Sequence, residues 1–113
     1  CLDDQILSDA MSMVVVGRSK TLASEVGKDN ILVKVIGPGR IGTARIENLN
    51  KMRADKAGIS VADYEKEDLK KFPMGRYGTI DEYGRLATWL CSEANTYVSG
   101  QTILLDGAMT TAY

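Results

Sequence analysis

The chain has 113 residues, 44% apolar and 26% charged, with a net charge of −1. That is the balance of one globular domain with a modest core, and it argues against a nucleic-acid or acidic-membrane binder. Histidine is absent, which excludes any Ser-His or Cys-His nucleophile pair within the chain.

Leu7 to Val26 reads as a helix. Leu7, Met11, Val14 and Leu22 share one face, and Val15, Ala23 and Val26 share another. With Val14-Val15-Val16 in the middle, so wide an apolar arc is expected to be buried on more than one side. Gly27 is the expected stop. Ile31 to Ile36 is a short β-branched run closed by Gly37-Pro38-Gly39, the pattern of a buried parallel strand. Lys34 inside it is unexpected.

Thr43 is placed to cap a helix running to about Ala57 and ended by Gly58. Ser60-Val61-Ala62-Asp63 has a capping-box pattern, flanked by Ile59 and Tyr64 at staple positions; that helix ends before Phe72-Pro73. Arg45 to Lys71 is dense in both charges, so a solvated helical flap is expected over about residues 43–71. Thr79-Ile80-Asp81-Glu82 repeats the capping box and opens a helix with Tyr83, Leu86, Ala87 and Leu90 on one stripe. After a turn, Thr102 to Leu105 reads as a second buried strand, closed by Asp106-Gly107. The long helical crossover between two apolar strands predicts an α/β fold with the strands parallel and adjacent.

Gly37-Pro38-Gly39-Arg40-Ile41-Gly42 matches the dinucleotide-binding pattern G-x-G-x-x-G. The context opposes that assignment. The fingerprint needs a second strand carrying an acid about 20 residues on. Asp63, at about that distance, sits at a predicted helix start instead.

Two stretches account for the loop better. "ILVKVIGPGRIGT" and "FPMGRYGTIDEYGRLATWLCSEANTYVSGQTILLDG" together resemble the C-terminal part of the short-chain dehydrogenase/reductase family, and within it the 3-oxoacyl-carrier-protein reductase type. The shared order is a strand, Pro38-Gly39, Ile41 and Thr43; then Gly75-Arg76 and Gly78-Thr79 before a helix; then Tyr97-Val98-Ser99-Gly100-Gln101 leading into a final strand and Asp106-Gly107. The resemblance runs from about Ser8 to Met109. It implies the C-terminal part of a doubly wound Rossmann-like parallel sheet, with residues 1–113 forming a segment of one oxidoreductase domain.

The resemblance also implies a cofactor, NAD or NADP, whose phosphates the family binds at an N-terminal glycine turn that these residues do not contain. Pro38, Gly39, Ile41 and Thr43 would lie against the nicotinamide, with Gly39 allowing close approach and Thr43 offering a hydroxyl. Thr43 also suffices as a helix cap, and the two roles are compatible. The family's catalytic Tyr-x-x-x-Lys falls on Ser8 and Ser12. Neither replaces its counterpart, because a serine hydroxyl has too high a pKa and Ser12 carries no charge. Ala108 stands where a second glycine is common, and Lys34 where Asn is usual.

Two readings follow. One is a C-terminal fragment of a carbonyl/alcohol oxidoreductase that does not bind cofactor tightly by itself. The other is a non-catalytic binding or oligomerisation module. The helix at about 8–26 is the expected contact with a second copy in a homodimer or homotetramer, unless a missing N-terminal half covers it; Gly17 permits close approach. Nucleic acid and membrane are not expected partners. Cys1 and Cys91 form neither metal spacing nor a disulfide framework, and no run is long enough to cross a bilayer. A cytoplasmic setting is therefore expected. The first residue is Cys1 rather than Met, which raises the expectation of a processed or trimmed piece.

Overall fold

A computed structural model describes residues 2–111. The element order is α1 (Leu2–Val26), β1 (Lys34–Pro38), α2 (Ala44–Ala57), α3 (Val61–Leu69), α4 (Ile80–Cys91) and β2 (Gln101–Leu105). β1 and β2 are neighbours in a two-stranded sheet and run parallel. Gly100 N–H donates to the Val33 carbonyl (2.7 Å) and Gly39 N–H to the Leu105 carbonyl (2.9 Å). Residue numbers rise together on both strands, as a parallel pair requires. Both strands are only half-buried or exposed along their length, where the sequence predicts full burial. Each has a single strand neighbour among the described residues, so each leaves one edge unpaired there.

The chain divides into two compact units, with the boundaries falling after Ile36, Ala87 and Ile103. In the first, α1 ends at Val26, immediately before the stop expected at Gly27. The backbone tightens into a 3₁₀ turn over Gly27–Asp29 and ends at Asn30, which takes the left-handed conformation (φ 58°) and donates its N–H to the Gly27 carbonyl (3.0 Å). Asn tolerates that region through its short polar side chain, so it serves the role expected of glycine. Along α1, Met11, Met13, Val14 and Val15 are all more than half exposed.

Lys34, the unexpected charge in β1, has a structural role. Its Nζ donates to the Leu90 carbonyl (2.8 Å), one of the carbonyls that the last turn of α4 leaves without a helical partner. Asn95 Nδ2 donates to the same carbonyl (3.0 Å), and Asn95 Oδ1 accepts from Val98 N–H (2.9 Å). A cation at a helix C-terminus is also favoured by the helix dipole. Among the described residues, Leu90 and Asn95 are the buried ones of this unit.

The second unit carries α2, α3 and most of α4. Gly58 ends α2 with φ 68°, a conformation that costs glycine little. Ser60 caps α3 by accepting the Asp63 N–H at 3.1 Å. Asp63 therefore sits on a helix rather than on a second strand, so the glycine loop lacks the ribose-binding acid of a dinucleotide fingerprint. Ala54 and Phe72 form the apolar core here, together with the buried polar residues Asn50 and Asp68. The Phe72 ring meets that of Tyr77 edge-on, 5.7 Å between centroids, a favourable aromatic geometry.

Candidate functional site

The site begins where β1 ends. A Cβ built on Gly39 would lie 2.6 Å from the Asp106 Cα. Only glycine fits, because the backbone beyond β2 occupies the space a side chain would take. The sequence assigns this glycine to close approach of a ligand; the structure adds the Asp106 backbone, just beyond β2, as a neighbour that requires it. The next residues make an isolated parallel bridge, Ile41 with Gly78. Gly42 N–H donates to the Gly78 carbonyl (2.8 Å), and Gly78 N–H to the Arg40 carbonyl (2.9 Å). Because the bridge uses the peptide groups of Arg40 and Gly42, those of Ile41 point the other way.

A cavity of about 470 Å³ opens beside this loop. Pro38, Gly39, Ile41 and Thr43 line it from the loop; Arg45, Ile46 and Leu49 line it from α2; Ile80 and Tyr83 line it from α4. All four residues that the sequence associates with a cofactor thus face one pocket. It has the size and apolar lining of a small-molecule site. Thr43 is the N-cap residue of α2 in extended backbone, but its hydroxyl makes no capping hydrogen bond. Ser8 and Ser12 lie on α1, in the other unit. The Ser8 side chain is outside the described residues, and Ser12 is exposed.

The start of α4 is fixed by a reciprocal capping box. Glu82 N–H donates to Thr79 Oγ1 (3.1 Å) and Thr79 N–H donates to Glu82 Oε2 (2.8 Å). Arg76 grips the same carboxylate with two bonds, 2.6 and 2.9 Å. The Arg76 hydrogen bond first, and the Thr79 N–H next, hold the Glu82 carboxyl down at about 2. This box places Ile80 and Tyr83 on the pocket wall.

Most charges over residues 43–71 are exposed, but one carboxylate is turned inward. Asp68 on α3 is 1% exposed. It accepts from Tyr77 Oη (2.9 Å), pairs with Arg40 Nη1 (3.0 Å) and pairs with Lys71 Nζ (3.0 Å). Asn50, fully buried, donates to Tyr77 Oη (3.1 Å) and to Glu65 Oε1 (3.3 Å). Burial alone would push the Asp68 carboxyl up. The hydrogen bonds from Lys71 and Tyr77 and the charge of Arg40 outweigh it, so the pKa falls below its ordinary value. The same burial, with Asp68 adjoining, raises the Tyr77 phenol despite the bond from Asn50. Arg40 thus ties the glycine loop to α3, directly behind the pocket residue Ile41. Sequence reasoning missed this network and passed over Arg45; each residue is visible in the sequence, but the pairing depends on tertiary contact. Among the described residues no group of acids, cysteines or histidines is arranged to hold a metal, and no helix is long and apolar enough to cross a membrane.

Comparison with known proteins covers nearly all of the chain. A family model described as enoyl-(acyl carrier protein) reductase matches residues 8–110. The chain is 36% identical over 95 residues to a 3-oxoacyl-[acyl-carrier-protein] reductase, FabG, of Chlamydia trachomatis serovar D, covering 84% of this chain and 34% of that protein. Among solved structures it resembles YwfH, an NADPH dependent reductase involved in bacilysin biosynthesis (TM-score 0.85, 28% identity, 92% of this chain and 39% of that one). It also resembles L-sorbose reductase from Gluconobacter frateurii complexed with NADPH and L-sorbose (TM-score 0.80, 32% identity, 89% and 39%). The chain spans about a third of the length of the curated relatives it matches.

Proposed function

Because the chain belongs to the short-chain dehydrogenase/reductase family, we propose that it is the substrate-side, C-terminal part of an NAD(P)-dependent oxidoreductase acting on a carbonyl or alcohol. In this reading residues 1–113 are one segment of a Rossmann-type domain, with residues 43–71 as the flap over the substrate. The observation that carries the proposal is the convergence of Pro38, Gly39, Ile41 and Thr43 on one pocket.

A nicotinamide ring fits what these residues offer. The Ile41 peptide groups face away from the bridge, and the Thr43 hydroxyl has no capping duty. Both suit a carboxamide, which needs one donor and one acceptor within reach. When bound, the cofactor supplies the hydride. The chain's own part is to orient the ring, hold the carboxamide and exclude water with Ile41, Ile80 and Tyr83. Ser8 and Ser12 take the positions of the family's acid/base tyrosine and its lysine, so proton transfer to the substrate oxygen lacks its usual donor. General acid/base assistance is worth about 10²–10⁴-fold, and the phosphate-binding turn lies outside these residues. Binding by this chain is therefore weak and turnover absent.

The test is titration with NADPH and NADH, following the amide resonances of Ile41 and Thr43, beside a ketone turnover assay. Millimolar-range shifts at those amides, diminished in Thr43→Val, are expected. No shift at the loop would overturn the nicotinamide assignment, and turnover by this chain would overturn the degenerate-site reading.

A second reading, an oligomerisation module, is favoured by α1. Met11, Met13, Val14 and Val15 are exposed, and a Cβ at Gly17 would meet nothing within 4 Å. Such an apolar strip invites a second copy. It predicts a concentration-dependent dimer in sedimentation, abolished by Val14→Lys; a monomer at all concentrations would sink it.

A further inference from the structure

The pocket carries one cation, the exposed Arg45, which no ion pair holds. Arg45 lines the cavity from the first turn of α2. A positive side chain there opposes the helix dipole, which favours anions at an N-terminus. Such a charge is compensated by water where it is exposed, as Arg45 is, or by a nearby acid. Among the described residues no acid does so. The ion pairs join Arg40 and Lys71 to Asp68, Lys70 to Glu67, Arg76 to Glu82 and Arg85 to Asp81, and Arg45 is in none of them. The positions one helical turn on are Asn48 and Leu49. Glu47 is two positions away, a spacing at which helical side chains do not face each other.

The rest of the lining has no charged side chain: Ile46, Leu49, Ile80 and Tyr83 surround the cavity beyond the loop. The pocket therefore has an apolar body with a single guanidinium on its wall. A guanidinium presents a planar fork of donors matched to an oxyanion. We infer that Arg45 selects a substrate bearing a carboxylate or phosphate at one end of a short apolar chain, with the reacting carbonyl or alcohol at the other. This rests on the reading of the pocket as the nicotinamide and substrate site, and it adds the substrate's charge.

The test titrates the chain with hexanoate, hexyl phosphate and neutral hexanol, following amide shifts at Ile41, Ile46 and Tyr83, in the wild type, Arg45→Gln and Arg45→Lys. NADPH is titrated in parallel. Hexanoate or hexyl phosphate should bind more tightly than hexanol. Arg45→Gln should remove that advantage, about tenfold for a charge-assisted contact, without moving the hexanol affinity, and Arg45→Lys should restore part of it. Comparing the two anions identifies which oxyanion the site prefers. Equal binding of charged and neutral probes, or no probe binding at all, overturns the inference. So does loss of NADPH affinity alone in Arg45→Gln, which would assign the cation to the cofactor's phosphates. If NADPH still shifts Ile41 and Thr43 in any of these cases, the nicotinamide reading survives; if it does not, that reading fails separately.

Discussion

Replacing Asp68 with alanine isolates the network behind the pocket. The Asp68 side chain is fully buried, and its partners differ in exposure: Arg40 is 19% exposed and Lys71 is 65% exposed. The Lys71 pair is close to a surface ion pair, worth under about 1 kcal/mol. The Arg40 pair and the Tyr77 hydrogen bond are not screened in that way. Removing Asp68 leaves a mostly buried guanidinium whose other contact in the network is a long 3.5 Å bond to Asn50 Oδ1, and it takes the acceptor from Tyr77. Breaking a buried pair by deleting one partner costs about 3–5 kcal/mol. Asp68→Ala should therefore lose about 3 kcal/mol or more in urea unfolding followed by circular dichroism, and Lys71→Met less than about 1. The pH dependence has a definite sign. The folded carboxyl titrates below its ordinary value of 3.8. Its contribution is fully present above that value and is lost as pH falls through the folded pKa. The gap between wild type and Asp68→Asn should then be constant near neutrality and narrow below pH 3.8. A loss for Asp68→Ala no greater than for Lys71→Met, or a gap that widens in acid, would mean that the buried Arg40–Asp68–Tyr77 contacts do not stabilise the fold.

Two further substitutions test the backbone around the site. Gly39→Ala drives a methyl group into the Asp106 backbone and should cost about 1–3 kcal/mol, typical of overpacking, with amide shifts at both Gly39 and Asp106; an unchanged denaturation midpoint would show that the two segments part freely. Ala108 has φ 64°, while its N–H donates to Asp106 Oδ1 at 3.0 Å. Ala108→Gly should relieve left-handed strain and stabilise by about 1 kcal/mol, read as a raised melting temperature; a lower one would mean Ala108 is not strained.

What was legible in the sequence is what is settled within a few residues. Ser60 and Thr79 cap helices because their oxygens reach N–H groups three residues on, and Gly58 stops α2 because glycine accepts its left-handed turn. The strand pair was legible too, but not its start. β1 begins at Lys34 because the preceding Val33 N–H is taken by the side chain of Ser99 (3.0 Å), a partner 66 residues away. Lys34 looked anomalous for the same reason, since the carbonyl it satisfies belongs to a distant helix end. For the pocket, the order Pro38-Gly39, Ile41, Thr43 marked the loop wall. Arg45 was in plain sight, yet its lack of a partner emerges only after every acid has been placed. Most charges of residues 43–71 are exposed, as a charge run suggests, but composition does not reveal which single carboxylate the fold turns inward.

That inward carboxylate changes what it means for α2 and α3 to come apart. In most helix pairs, separation wets hydrocarbon, raises the heat capacity and bares a surface that other chains adhere to. Here much of what would be wetted is Asn50, Asp68, Tyr77 and the head of Arg40. Exposed polar surface contributes to the heat capacity with the opposite sign. Local opening of this region would therefore carry a small heat-capacity change and depend weakly on temperature. The opened form would also meet water as a cluster of charges, leaving the flap free to breathe without becoming adhesive.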